Sequence, residues 1–266
     1  MSYVSREFGE HAYRTTIAQE PAGLGATRAN LSRLLRTLDF VGWSTHEESG
    51  RLDRRALTRY ATGSANIFSR REMKESEKTA VSVLIDCSGS MDGCRIKTAQ
   101  SVAIHLSKIL NQSKVPFAVT GFHRDRRYRV NANDNTVYSS SPTFIPFKRW
   151  GESLPRAVAK LGNIDQFAHS GTPDYSALYL TIEEISRREE NRKIVFLLTD
   201  AEGYARSHMR HLQKFADSQG VTIIAIGIGL TDVQSCFANA ENVMDVSDLA
   251  SATFNRLLKT LGRKIK

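Results

Sequence analysis

Asp86, Ser88 and Ser90 form an Asp-x-Ser-x-Ser triplet in the run Ile85-Asp86-Cys87-Ser88-Gly89-Ser90-Met91. One carboxylate and two hydroxyls on a tight, glycine-containing turn are hard oxygen donors. They suit a small divalent cation, Mg²⁺ above all. A plainer use is open to them as well, because Ser and Asp favour turns and helix N-caps. Ahead of the triplet, Ala80-Val81-Ser82-Val83-Leu84-Ile85 reads as a buried strand; behind it, Lys97 to Leu110 carries apolar residues at helical spacing. In an open parallel sheet, ligands bind at this kind of junction, outside the carboxyl ends of the strands.

Two further oxygen donors stand at matching junctions. Gly171-Thr172-Pro173-Asp174 precedes a helical segment, Tyr175 to Arg187, and Lys193 to Asp200 is a second buried strand ending in an acid. The set Asp86, Ser88, Ser90, Thr172 and Asp200 resembles the metal-ion-dependent adhesion site of von Willebrand factor A (VWA) domains, with the resemblance running roughly from residue 79 to 262. It implies that Ser88, Ser90 and Thr172 bind Mg²⁺ (or Mn²⁺) directly, while Asp86 and Asp200 act mainly through bound waters. It also implies an open coordination position for an Asp or Glu of another protein.

The elements needed to hold such a site alternate along the chain. Strands are expected at 80–85, 115–122, 193–200, 221–227 and 243–246, with a further strand and an irregular crossing around 127–131 and 143–147. Helices are expected at 97–110, 152–161, 175–187, 208–218 and 249–261, and an exposed loop at 131–141. The fold class is therefore α/β, a doubly wound, mainly parallel six-stranded sheet of the VWA or Rossmann-like kind. Residues 1–26 read as a loosely ordered arm, Thr27 to Val41 as a helix through Leu31, Leu34, Leu35 and Leu38, and Arg54 to Ala61 as a second helix. The charged stretch Ser69 to Lys78 leads into the first strand. The expected division is a helical N-terminal extension at 1–78 and the VWA domain at 79–266.

Composition narrows the function classes. No apolar run reaches the roughly 18–20 residues that span a membrane, and the start of the chain lacks the apolar core of a secretory signal. Cys87, Cys94 and Cys236 lack framework spacing and read as reduced thiols, which points to the cytoplasm. The net charge of +9 comes largely from clusters at Arg51, Arg54, Arg55 and Arg59, at Arg70 and Arg71, and at Arg124, Arg126, Arg127 and Arg129. These clusters lack a stacking pattern or a zinc-finger spacing, so solvated faces and partner contacts are favoured over specific nucleic-acid binding. No P-loop occurs, and Ser88 lacks a nucleophile elbow. No catalytic residue is expected. His123, His169, His208 and His211 read as scattered surface groups, with His169 near enough to Thr172 to shape its loop.

Several segments resemble the C-terminal part of the CobT family, the VWA-bearing subunits of aerobic cobaltochelatase. They are Gly50-Arg51-Leu52-Asp53, Ala56-Leu57, Ile67-Phe68, Arg70-Arg71, Gly121-Phe122, His169-Ser170-Gly171-Thr172-Pro173 and Ile226-Gly227-Ile228-Gly229. The resemblance implies a Mg²⁺-dependent interaction subunit that couples a hexameric AAA+ ATPase of the MoxR/CobS type to a client protein. It implies as an alternative a non-catalytic subunit of a cobaltochelatase, which inserts cobalt into a corrinoid in cobalamin biosynthesis. A basic nucleic-acid-binding protein is the reading of another class.

Overall fold

The computed structural model describes residues 5–20, 23–35, 37–54, 66–76, 79–124, 129–132, 135–138, 141–202, 204–229 and 232–250. The chain divides into two compact units, residues 1–35 with 78–266, and residues 36–77.

The larger unit is built on a six-stranded sheet. Its centre is β4 (Thr79–Asp86), flanked by β9 (Arg192–Thr199) and β5 (Phe117–Arg124). Beyond β9 lie β10 (Val221–Ile228) and β11 (Ala240–Val243), and β8 (Pro142–Lys148) closes the other edge. All pairings are parallel except β5 with β8. Every residue of β4 is buried, as expected of a parallel strand covered on both faces. Side chains alternate across a strand. Val81, Val83, Ile85 and Cys87 join one apolar cluster, and Ala80 and Leu84 join the other. The first cluster is covered by α3 (Cys94–Gln112) and α4 (Leu154–Leu161). The second is covered by α5 (Asp174–Ser186) and α6 (Arg206–Ser218), with the single turn α7 (Val233–Cys236). The doubly wound α/β sheet expected from the alternation of elements is what the chain forms.

The N-terminal residues differ from expectation. The arm contains a helix, α1 (Arg6–Ala18), whose N-cap Ser5 accepts a hydrogen bond from the Phe8 amide. Tyr13 and Ile17 of α1 pack on the first apolar cluster, as do Leu24 and Leu31 of α2 (Leu24–Leu35). Glu20 accepts hydrogen bonds from Lys108 of α3 and Arg28 of α2. Residues 1–35 thus belong with the α/β unit. The crossing of α1 over α4 depends on two glycines: a Cβ on Gly9 would lie 2.1 Å from the Ala159 carbonyl oxygen, and one on Gly162 would lie 1.8 Å from that of Gly9. Neither position has room for a side chain.

Residues 36–77 hold a three-stranded antiparallel sheet, β1 (Thr37–Glu47), β3 (Phe68–Ser76) and β2 (Arg51–Leu52), with β3 in the middle. The expected helix over 27–41 therefore ends at Leu35, and Leu38 pairs with Glu75 across β1 and β3. The leucine spacing continued past the helix by coincidence, and the partner strand lies some thirty residues away in a charged stretch without apolar alternation. Most of the expected helix at 54–61 lies outside the described residues. The expected loop at 131–141 contains instead a hairpin of β6 (Arg129–Ala132) and β7 (Asn135–Tyr138). The last strand, Ala240–Val243, starts three residues earlier than expected and ends at the first residue of the expected span, and a 3₁₀ segment follows at Val246–Ala250. The rest of the expected final helix, 251–261, lies outside the described residues.

Substituting Gly9→Ala should lower stability in urea by about 1–3 kcal/mol, the usual cost of overpacking a closed contact. Gly25→Ala is the control: a Cβ there meets nothing within 4 Å, and alanine favours the helix. Equal effects of the two substitutions would refute the close α1–α4 crossing.

Candidate metal centre

The five expected residues lie on three loops at the carboxyl end of the sheet. Asp86 is the last residue of β4 and Asp200 follows the last residue of β9. These two strands pair directly, so their carboxyl ends are neighbours. Asp86 and Ser88 are essentially inaccessible, and the Asp200 side chain is 2% exposed.

Asp86 is fully engaged. Its Oδ1 accepts the Ser88 amide at 2.9 Å, and its Oδ2 accepts the Thr199 hydroxyl at 2.9 Å. Thr199 Oγ1 in turn accepts the Ala201 amide. With both oxygens held, Asp86 is placed to act at one remove from a metal. The direct donors would be the hydroxyls. Ser88 Oγ and Ser90 Oγ stand 3.0 Å apart. Adjacent oxygens of an octahedron with the roughly 2.1 Å bonds of Mg²⁺ are about 3.0 Å apart, so this pair fits one edge of the coordination shell. Among the described residues no group of three His, Cys, Asp or Glu is placed to hold a metal ion. A cation here would rely on hydroxyl oxygens, which again selects a hard ion.

The loops are fixed by backbone bonds. The 3₁₀ turn Gly89–Met91 follows β4, and the buried Met91 anchors it in the core. The Gly89 amide donates to the Ser170 carbonyl at 2.8 Å, and the His169 amide to the Cys87 carbonyl at 3.0 Å. The Arg124 amide donates to the Gly171 carbonyl at 2.8 Å, and the Ser170 hydroxyl donates to the Arg124 carbonyl. Thr172, half-buried, follows directly on this ladder. Ser170 and Ala201 have φ of 72° and 53°. Such left-handed geometry costs a non-glycine residue about 1–2 kcal/mol, and two of the three instances among the described residues flank this site. His169 does shape the Thr172 loop, through its amide, and its ring packs 4.4 Å from that of His123. His208 and His211 are not isolated either, since both pack on the Tyr175 ring.

Sequence reasoning missed Arg95. It stands in the first turn of α3, and its Nη1 donates to Asp200 Oδ2 at 2.9 Å, to the Ser90 carbonyl at 3.1 Å and to Glu202 Oε2 at 3.3 Å. Asp200 Oδ1 accepts the Glu202 amide. The spacing from Ser90 to Arg95 carries no motif, so only the folded loop reveals the contact. Cys87 packs inward as expected, and burial pushes its thiol well up, which makes it a poor nucleophile.

Burial, with a smaller contribution from the nearby Asp200 charge and against the hydrogen bonds from Ser88 and Thr199, raises the Asp86 carboxyl to about 7. The folded chain therefore keeps a proton that the unfolded chain has lost near pH 4. Stability in EDTA should fall as pH rises from about 4 to about 7, then level off. Saturating Mg²⁺ should flatten that fall, because the ion favours the carboxylate. Asp86→Asn should remove this contribution in both conditions; urea midpoints across this pH range check all three curves.

Residues 80–256 match the family of the von Willebrand factor type A domain. Among solved structures, the chain is similar to the conserved hypothetical protein BatB of Bacteroides thetaiotaomicron, at 14% identity and a TM-score of 0.51, over 70% of this chain and 99% of that one. It is similar to the pilus adhesin SpaC of Lactobacillus rhamnosus GG at 16% identity and a TM-score of 0.51, over 74% of this chain and 31% of that one. The manganese-loaded TRAP protein of Plasmodium vivax aligns at 15% identity and a TM-score of 0.47, over 70% of this chain and 73% of that one. At such identities the likeness is one of fold. The family match spans well over half of the sequence and coincides with the sheet that carries the five oxygen-bearing residues, and the chain belongs to the von Willebrand factor type A domain family.

Proposed function

We propose that this protein is a metal-dependent interaction subunit of the CobT kind. It holds Mg²⁺ or Mn²⁺ at Ser88, Ser90 and Thr172, backed by Asp86 and Asp200, and through that ion binds an Asp or Glu of a client. The carrying observation is the pair of hydroxyls 3.0 Å apart beside a buried carboxylate whose two oxygens are already engaged. A cation held mainly by neutral hydroxyls keeps most of its charge. It then offers an outside carboxylate the attraction that internal carboxylates would otherwise have used up. When bound, the ion supplies a bridge between two proteins.

The protein works in the cytoplasm with a hexameric AAA+ ATPase of the MoxR/CobS type, which supplies the ATP hydrolysis. The CobT-like segments support this partner, and they include both the Thr172 loop and the end of β10. Insertion of cobalt into a corrinoid is a narrower form of the same reading, in which the client is a large chelatase subunit. No helix among the described residues is long and apolar enough to cross a membrane.

Titration with Mg²⁺ or Mn²⁺ to a hundred times Kd should stabilise the chain by about 2.7 kcal/mol, or roughly 5–10 °C in Tm for a unit of this size. Asp86→Ala should abolish the shift; a wild-type chain indifferent to both ions would sink the reading. In native pull-downs, EDTA should release the AAA+ partner and excess Mg²⁺ restore it, with Thr172→Ala weakening capture while the fold persists. Salt-sensitive binding of RNA or DNA that survives EDTA would instead favour the arginine clusters and a nucleic-acid role.

A further inference from the structure

The metal reading leaves one cation of the site without a role. Arg95 donates from a single nitrogen to Asp200, to the Ser90 backbone and to Glu202. It thus touches the carboxylate that backs the metal and the residue whose hydroxyl would hold it. Its side chain is 45% exposed, whereas that of Asp200 is 2% exposed. A buried anion facing a half-exposed, jointed cation is an asymmetric pair. Asp200 cannot leave, because it directly follows a central strand and its Oδ1 holds the Glu202 amide. Arg95 can move: Glu202, 66% exposed, offers a second carboxylate further out. Gly229, at the end of β10, presents no side chain to it. A Cβ there would come within 4.0 Å of Arg95 Nε.

Resting on the metal reading above, we propose that Arg95 is an internal competitor of the metal, a tethered cation that sets the affinity of the site by sharing Asp200 with the ion. A divalent ion held by Ser88 and Ser90 would lie beside that guanidinium, which already bonds the Ser90 carbonyl. The two like charges repel, and the guanidinium already neutralises the charge that would draw the ion in. Binding must therefore turn Arg95 outward toward Glu202, or bear the repulsion. The cost falls on metal affinity alone, because Asp200 keeps its backbone bond either way. The device keeps the site weak by itself, so that stable occupancy requires a further anion, and the partner's carboxylate supplies it. The metal and its protein ligand would then bind as a pair.

The test is Mn²⁺ binding to the 266-residue chain by isothermal titration and by the electron paramagnetic resonance of free Mn²⁺. Arg95→Gln should bind Mn²⁺ about tenfold more tightly than wild type at low ionic strength, the scale of a unit charge acting on a divalent ion through partly screened surroundings. The gap should narrow as KCl is raised. Arg95→Lys, which keeps the charge, should stay near wild type. Arg95→Gln should also show a smaller gain in Mn²⁺ affinity when acetate is added as a probe carboxylate. An Arg95→Gln chain that binds Mn²⁺ no more tightly than wild type would overturn the competition and make Arg95 a support for Asp200. If wild type and all variants alike fail to bind Mn²⁺, the metal reading itself falls, a result separable from failure of this inference alone.

Discussion

The burial of the Asp86 carboxylate at the end of the central strand is the constraint around which the site is arranged. An isolated carboxylate removed from water is expensive. Here the cost is offset by the Ser88 amide and the Thr199 hydroxyl, and by no cation of the chain in direct contact among the described residues. Asp200 is close enough to add to the repulsion. Two acids at the mouth of a parallel sheet, one matched by Arg95 and the other only by neutral donors, leave a local excess of negative charge. The strand order produces this juxtaposition. Because β4 pairs with β9 in parallel register, their carboxyl ends emerge side by side, and residues 113 and 114 positions apart in sequence meet.

The first and second loops are one structure rather than two. The bonds from Gly89 to Ser170 and from His169 to Cys87 run between them like a short ladder, and the left-handed residues Ser170 and Ala201 hold geometry that an open loop would relax. Strain of this kind persists where surrounding contacts over-determine the backbone. It leaves the backbone that carries Ser88, Ser90 and Thr172 little freedom to drift. Two cations stand near these loops, Arg95 in contact with Asp200 and Arg124 beside Gly171.

The main sheet, and the junctions at which the five candidate residues stand, could be read from the order of residues alone. Asp86, Ser88, Ser90, Thr172 and Asp200 each stand at or just beyond the end of a strand or just before a helix, and such junctions are local events: an apolar run ends, a glycine or small polar residue turns the chain, and a 3.6-residue periodicity begins. The strands β4, β9 and β10 are continuous apolar runs because both faces of a parallel sheet are covered, so they announce themselves without any knowledge of their neighbours. What the sequence could not disclose was pairing at a distance. The sheet of β1, β2 and β3 hid in a leucine spacing that mimicked a helix and in a charged stretch whose partner is remote. The α1–α4 crossing hid in Gly9 and Gly162, ordinary glycines until another backbone is laid on them. Arg95 hid because two of its three acceptors, Asp200 and Glu202, lie on a loop remote from it in sequence. Local periodicity and turn chemistry determined the elements and the donor types, since both are properties of a short window. The tertiary structure alone decided which backbone lies against which and which cation faces which acid, because those energies depend on distances that only packing creates.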